Sequence, residues 1–153
     1  MIYAEAPKSV LSVEEARQFL ADNCDPGAIC PCCDKLDKVY KRTLNTTMAR
    51  GLIWLYHASG KGTTFVSLAA GPDWLLQTKQ LPTTAHWGLT IQAPKSKNDP
   101  SRRTSGYWSI TKDGIAFVEQ RLSVPKRVYL HRNNVIGWDE EHVFINDALG
   151  AFN

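Results

Sequence analysis

The sequence contains no apolar run near the roughly 20 residues needed to cross a bilayer, and its first stretch, MIYAEAPKSV, has neither the basic start nor the apolar core of a secretory signal. A cytoplasmic protein without membrane contact is the expectation. Also missing are HExxH, GxSxG, a pair of carboxylates framed for acid–base work and a nucleotide-binding glycine loop. Ser59-Gly60-Lys61-Gly62 has neither the glycine frame nor the preceding strand of a phosphate loop. The four histidines, His57, His86, His131 and His142, stand far apart along the chain, and Asp139-Glu140-Glu141-His142 reads as an acidic turn after a strand. Together these absences argue for a non-enzymatic protein; a metal-dependent nuclease or redox enzyme is the weakest alternative.

Lys and Arg are absent from 133–153, where four acids give a charge of −4. Residues 1–34 also carry −4, so the net +3 of the whole chain leaves +11 on residues 35–132. A positive centre between acidic flanks suits a polyanion, because phosphate contacts dominate nucleic-acid affinity. A merely solvated basic surface is the plain alternative. With 153 residues, 43% hydrophobic and 22% charged, the chain is long enough for one substantial core with an appendage.

Cysteine is confined to one stretch, CDPGAICPCC, holding Cys24, Cys30, Cys32 and Cys33. Without a secretory signal such a cluster favours metal or redox chemistry over a disulfide framework. Cys30-x-x-Cys33 has zinc-knuckle spacing, with Pro31 helping to fix the turn, and Cys24 is a candidate third ligand. Cys32 adjoins Cys33, and neighbouring side chains diverge, so it is left out of the set. Structural Zn2+ is the expected cofactor, inert or redox-active thiols and a disulfide staying open. No βαβ pattern surrounds the pair, as a thioredoxin-like site requires. Residues 35–44 follow with Lys35, Lys38, Lys41 and Arg42 beside Tyr40, either a nucleic-acid contact or a solvated linker.

Ser12 and Glu15 form a capping-box pattern before an amphipathic helix over 13–22. Asn45 caps a central core helix, TTMARGLIWLYHA, with His57 suited to its C-terminal dipole. A short strand over 63–68, a helix opening at Gly71-Pro72-Asp73, and a helix of one or two turns ending at Gly88 come next. The strand beginning at Leu89 stops at Pro94, the basic segment PKSKNDPSRRTS intervenes, and Tyr107–Ile110 forms the returning strand. Thr111 then caps a helix over 112–121. Residues 124–138 alternate as a ribbon turning at Asn133-Asn134, followed by a strand at 143–145 and a terminal turn or helix at 146–150.

Strand, basic loop, strand and Ile110-Thr111-x-x-Gly114 resemble the wing of winged-helix DNA-binding domains, and the order helix, strand, helix, helix, strand, wing, strand is similar to theirs. The CPxC knuckle, "HWGL" turn and "GYW-Ile-Thr-x-x-Gly" wing also resemble small proteins encoded by tailed bacteriophages. The resemblance implies an α+β fold: a helix and cysteine-rich zinc element at 1–44, a winged-helix-like core at 45–121, and a β-ribbon at 122–153 packed on that core. It implies duplex DNA as partner, with Lys95, Lys97, Arg102, Arg103 and Lys112 on phosphates. Thr83, Thr84 and His86 would end the recognition helix and face a groove, with Ala85 and Trp87 packing inward. A short Thr/His surface lacks the Arg, Asn or Gln that make bidentate base contacts, which argues against sequence-specific readout. Zn2+ would be held by Cys24, Cys30 and Cys33, with His131 as candidate fourth ligand. A module binding a host protein through the same scaffold is the rival reading.

Overall fold

The computed structural model describes residues 3–6, 11–94 and 106–150. The chain divides into two compact units, one of residues 1–42 and 127–138, the other of 43–126 and 139–153.

The first unit begins with helix α1, Val13–Asn23, where Ser12 and Glu15 form the expected reciprocal capping box. Ala16 and Leu20 lie one turn apart on its buried face, and α1 packs on strand β1. Strands β1 (Ala28–Ile29) and β2 (Leu36–Asp37) form a small antiparallel hairpin that holds Cys30, Cys32 and Cys33 at its tip, while Cys24 caps the end of α1. Strand β3 (Val39–Thr43) is an outer strand of a second sheet with β8 (Arg127–His131) and β9 (Asn134–Trp138), in the order β3-β8-β9. Val128 and Leu130 are the buried face of β8. The β8–β9 turn falls at Arg132 and Asn133, both at positive φ (52° and 65°), one residue earlier than the sequence suggests. His131 pairs with Asn134 across this two-residue turn, the geometry whose twist matches that of the strands.

The second unit is organised around helix α2, Thr46–Ala58, capped by the Asn45 side chain, which accepts the Met48 amide at 2.9 Å. Its buried stripe, Met48, Ala49, Leu52 and Leu55, packs against β6, α4, α5 and a 3₁₀ helix, all defined below. Leu52, Leu55, Leu81, Leu89 and Phe117 are fully buried, and each such side chain contributes about 1.5–3 kcal/mol from area removed from water. After α2 come β4 (Val66–Ser67), a 3₁₀ turn at Leu68–Ala70, α3 (Asp73–Thr78) and a 3₁₀ helix at Leu81–Trp87 that Gly88 ends at φ 73°. Strands β5 (Thr90–Gln92) and β6 (Tyr107–Ile110) complete an antiparallel sheet in the order β4-β6-β5. Helix α4 (Lys112–Val118) follows β6 directly and ends three residues before the expected 121.

The α+β class is what the chain adopts. The C-terminal ribbon is not one separate piece. Its first strand, β7 (Val124–Pro125), leaves it to pair with β10 (His142–Val143), and helix α5 (Ile145–Leu149) closes the second unit. Residues 127–138 instead supply β8 and β9 of the first unit, where β8 lies between β3 and β9. Alternation along 124–138 is the same on either side of Lys126, so strand periodicity cannot reveal where the chain changes partner.

Candidate functional site

Strands β5 and β6 form the hairpin that carries the basic segment. Thr90 pairs with Ile110, Ile91 with Ser109 and Gln92 with Trp108. Beyond the last pair the Ala93 amide donates to the Tyr107 carbonyl at 2.9 Å, and the Gly106 carbonyl accepts the Leu68 amide at 3.3 Å. Lys95, Lys97, Arg102 and Arg103 lie outside the described residues. Lys112 is exposed at the opposite end of β6 from that segment. Four strand residues span about 13 Å, so Lys112 belongs with the end of the 3₁₀ helix: the neighbouring Thr111 hydroxyl donates to the Gly88 carbonyl at 2.6 Å.

Across 81–87 the outward surface differs from the expected one. Thr84 is fully buried, its hydroxyl donating to the Leu81 carbonyl at 2.6 Å and lying 3.0 Å from the Thr90 hydroxyl. It is a core hydrogen-bonding residue and faces no groove. Ala85, expected inside, is exposed, while Trp87 is buried as expected and donates from Nε1 to the Pro125 carbonyl at 2.7 Å. A 3₁₀ helix advances by 120° per residue and eclipses positions three apart, so Leu81, Thr84 and Trp87 share one inward face. Thr83 and His86 are half-buried. Just upstream, Lys79 stands exposed at φ 52°, and the Gln80 side-chain Oε1 accepts a hydrogen bond from Asn45 Nδ2 at 2.7 Å. On the neighbouring helices Arg50 stacks 4.5 Å from the ring centroid of Trp74, a cation that the sequence pattern gave no reason to single out.

The cysteine knuckle is tied at its base: the Cys30 amide donates to the Lys35 carbonyl at 2.8 Å and the Asp34 amide to the Cys30 carbonyl at 2.9 Å. Asp34 takes the left-handed conformation, φ 60°, that lets the turn close. Hydrogen bonds from the backbone amides of Cys32 and Cys33 hold the Cys30 thiol below its ordinary pKa, because they favour the thiolate. That donor pattern fits one corner of a thiolate metal site. The wider ligand set is not assembled. Among the described residues no group of three or more His, Cys, Asp or Glu side chains is placed to hold one ion. Cys24 Sγ points to the Ala21 carbonyl at 3.7 Å, and His131 Nε2 lies 2.9 Å from Asp37 Oδ2. Cys24 and His131 therefore do not join Cys30 and Cys33.

Asp37 organises its own cluster. Arg132 Nε donates to Oδ1 at 3.2 Å while His131 approaches the other oxygen. Burial disfavours the carboxylate, but the hydrogen bonds and charges of His131 and Arg132 outweigh it and hold the Asp37 carboxyl below its ordinary pKa. His131 and Asp37 are 94 residues apart in the chain, so no local motif announces the pair. Around Tyr40 on β3, Lys38 Nζ and Arg42 Cζ lie 4.9 and 5.8 Å from the ring centroid, Lys38 coming from the residue before the strand.

Among the described residues no helix is long and apolar enough to cross a membrane. No protein-family model matches the chain, and neither a curated protein nor a solved structure does.

Proposed function

We propose that this chain is a non-enzymatic nucleic-acid-binding protein of phage type, whose second unit is a winged-helix arrangement directed at duplex DNA. The observation that carries the reading is the strand order β4-β6-β5, entered through α2 and α3 and the 3₁₀ helix, with the basic segment 95–105 as the β5–β6 connection. In a winged helix that connection is the wing. Lys95, Lys97, Arg102 and Arg103 then follow phosphates, and Thr83, His86 and Lys112 supply the accessible polar groups near the short helix. Backbone contact, with little direct base readout, is the expected mode.

In the first unit, Cys30 and Cys33, on the turn between β1 and β2, would supply two ligands to Zn2+. A bound ion would supply a structural cross-link there. The chain's own residues set the turn and favour the Cys30 thiolate.

Fluorescence anisotropy with a labelled duplex tests the reading at about 50 and 200 mM salt, a range over which several phosphate contacts change affinity by orders of magnitude. Replacing Arg102 and Arg103 by Ala should lower the salt slope by about one unit per lost contact. An unchanged slope removes the wing from the interface. One observation favours a protein partner instead: Phe65, Ile91 and Tyr107 are 45%, 52% and 47% exposed, Ile91 and Tyr107 on the sheet face opposite Trp108 and Ile110. Absence of duplex binding at the lower salt would give that reading precedence.

A further inference from the structure

The most developed surface outside the second unit is the outward face of β3. Tyr40 and Arg42, two residues apart, share one face of this outer strand, and Lys38, the half-buried residue just before it, reaches the same ring. Tyr40 is 42% exposed, a large fraction for a tyrosine, and both cations converge on its ring. The one acid within 35–42 is Asp37, and its carboxylate is engaged by Arg132 and His131. Among the described residues neither Lys38 nor Arg42 stands in an ion pair.

From this geometry we infer that the Lys38–Tyr40–Arg42 strip is a binding platform for single-stranded nucleic acid, separate from the wing. The chemistry is complementary at two levels. Lys38 and Arg42 lie two residues to either side of the ring, with Nζ and Cζ 4.9 and 5.8 Å from its centroid, close enough together to take the phosphates on either side of one stacked base. Between them the aromatic ring offers a stacking face, which only an unpaired base can use, since duplex bases already stack on one another. Without ligand the cations rest against the ring and hold it upright; phosphates draw them away and open the ring to a base. An acidic peptide would satisfy the cations but leave the ring without a role. The platform lies wholly within the first unit, so it does not depend on the winged-helix reading.

The test uses the full chain and two labelled probes, a short oligo-dT within the 4–16 nucleotide range of such sites and a duplex, at fixed salt. Tyr40→Ala should weaken oligo-dT binding about tenfold, the loss typical of one stacked base, while duplex affinity stays unchanged. Tyr40→Phe should retain binding, because the ring is kept. Replacing Lys38 and Arg42 by Ala should weaken oligo-dT and flatten its salt dependence, and the Arg102/Arg103 double variant should leave oligo-dT affinity intact. An abasic oligonucleotide should bind weakly and with no difference between wild type and Tyr40→Ala. The platform is refuted if Tyr40→Ala leaves oligo-dT affinity unchanged, if it weakens duplex equally, or if polyglutamate competes as well as oligo-dT does. Loss of duplex binding in the Arg102/Arg103 variant with oligo-dT binding retained separates the two surfaces; failure of duplex binding alone counts only against the wing.

Discussion

The Thr111 hydroxyl donates to the Gly88 carbonyl at 2.6 Å, fastening the start of α4 to the end of the 3₁₀ helix that precedes β5. The same oxygen accepts the Gly114 amide at 3.0 Å, which makes Thr111 both cap and cross-link. Gly114 has its own reason for being glycine: a Cβ there would collide with the Leu89 carbonyl and press on the Ile110 side chain. Ile-Thr-x-x-Gly is thus a packing device. Thr111→Ala should cost about 1–2 kcal/mol, for a lost cap, and Thr111→Ser should recover most of it. Gly114→Ala should cost about 1–3 kcal/mol from overpacking. Urea midpoints of the three variants check this; a Gly114→Ala protein as stable as wild type would show that α4 does not sit so close to β5.

Thr84 separates stability from binding. Its buried hydroxyl serves Leu81 and Thr90. Thr84→Val should therefore destabilise by about 1–3 kcal/mol, the cost of leaving buried polar partners unpaired. DNA affinity of the folded variant should not change. A selective loss of affinity with unaltered stability would return Thr84 to the interface.

The Asp37 cluster makes stability depend on acid. Its folded-state pKa lies below the ordinary value of about 3.9. The contribution is therefore fully present above that value and is lost as pH falls through the folded pKa. Asp37→Asn should lower the urea midpoint near pH 6, and the gap to wild type should narrow as pH falls through the folded-state pKa of Asp37. A gap between the two proteins that stays constant across this range would mean that the carboxylate charge is irrelevant.

For the knuckle, Zn2+ added to chelator-treated protein should shield Cys30 and Cys33 from alkylation and leave Cys24 open, as read by peptide mass mapping. Cys30→Ser should abolish the shielding and Cys32→Ser should preserve it. Equal protection of Cys24 would restore the wider ligand set that the spacing suggests.

Local rules carried the sequence a long way. The Ser12–Glu15 box, the Asn45 cap, the apolar stripe of α2, Gly88 as a stop and Thr111 as a cap are all written within four or five residues, the range over which capping and helical periodicity act. The same range made the α+β class and the β5–β6 hairpin legible. Tertiary structure decided the rest. Thr84 reads as polar and surface-seeking until Thr90 is brought beside it. His131 reads as a spare metal ligand until Asp37 takes it. The chain changes sheet at Lys126, where the alternation is unbroken but β10 claims Val124 and Pro125 while β3 claims the strand beyond. In each case the deciding partner lies outside the local window, and a side chain's hydrogen bonds and burial depend on what lies across from it in space.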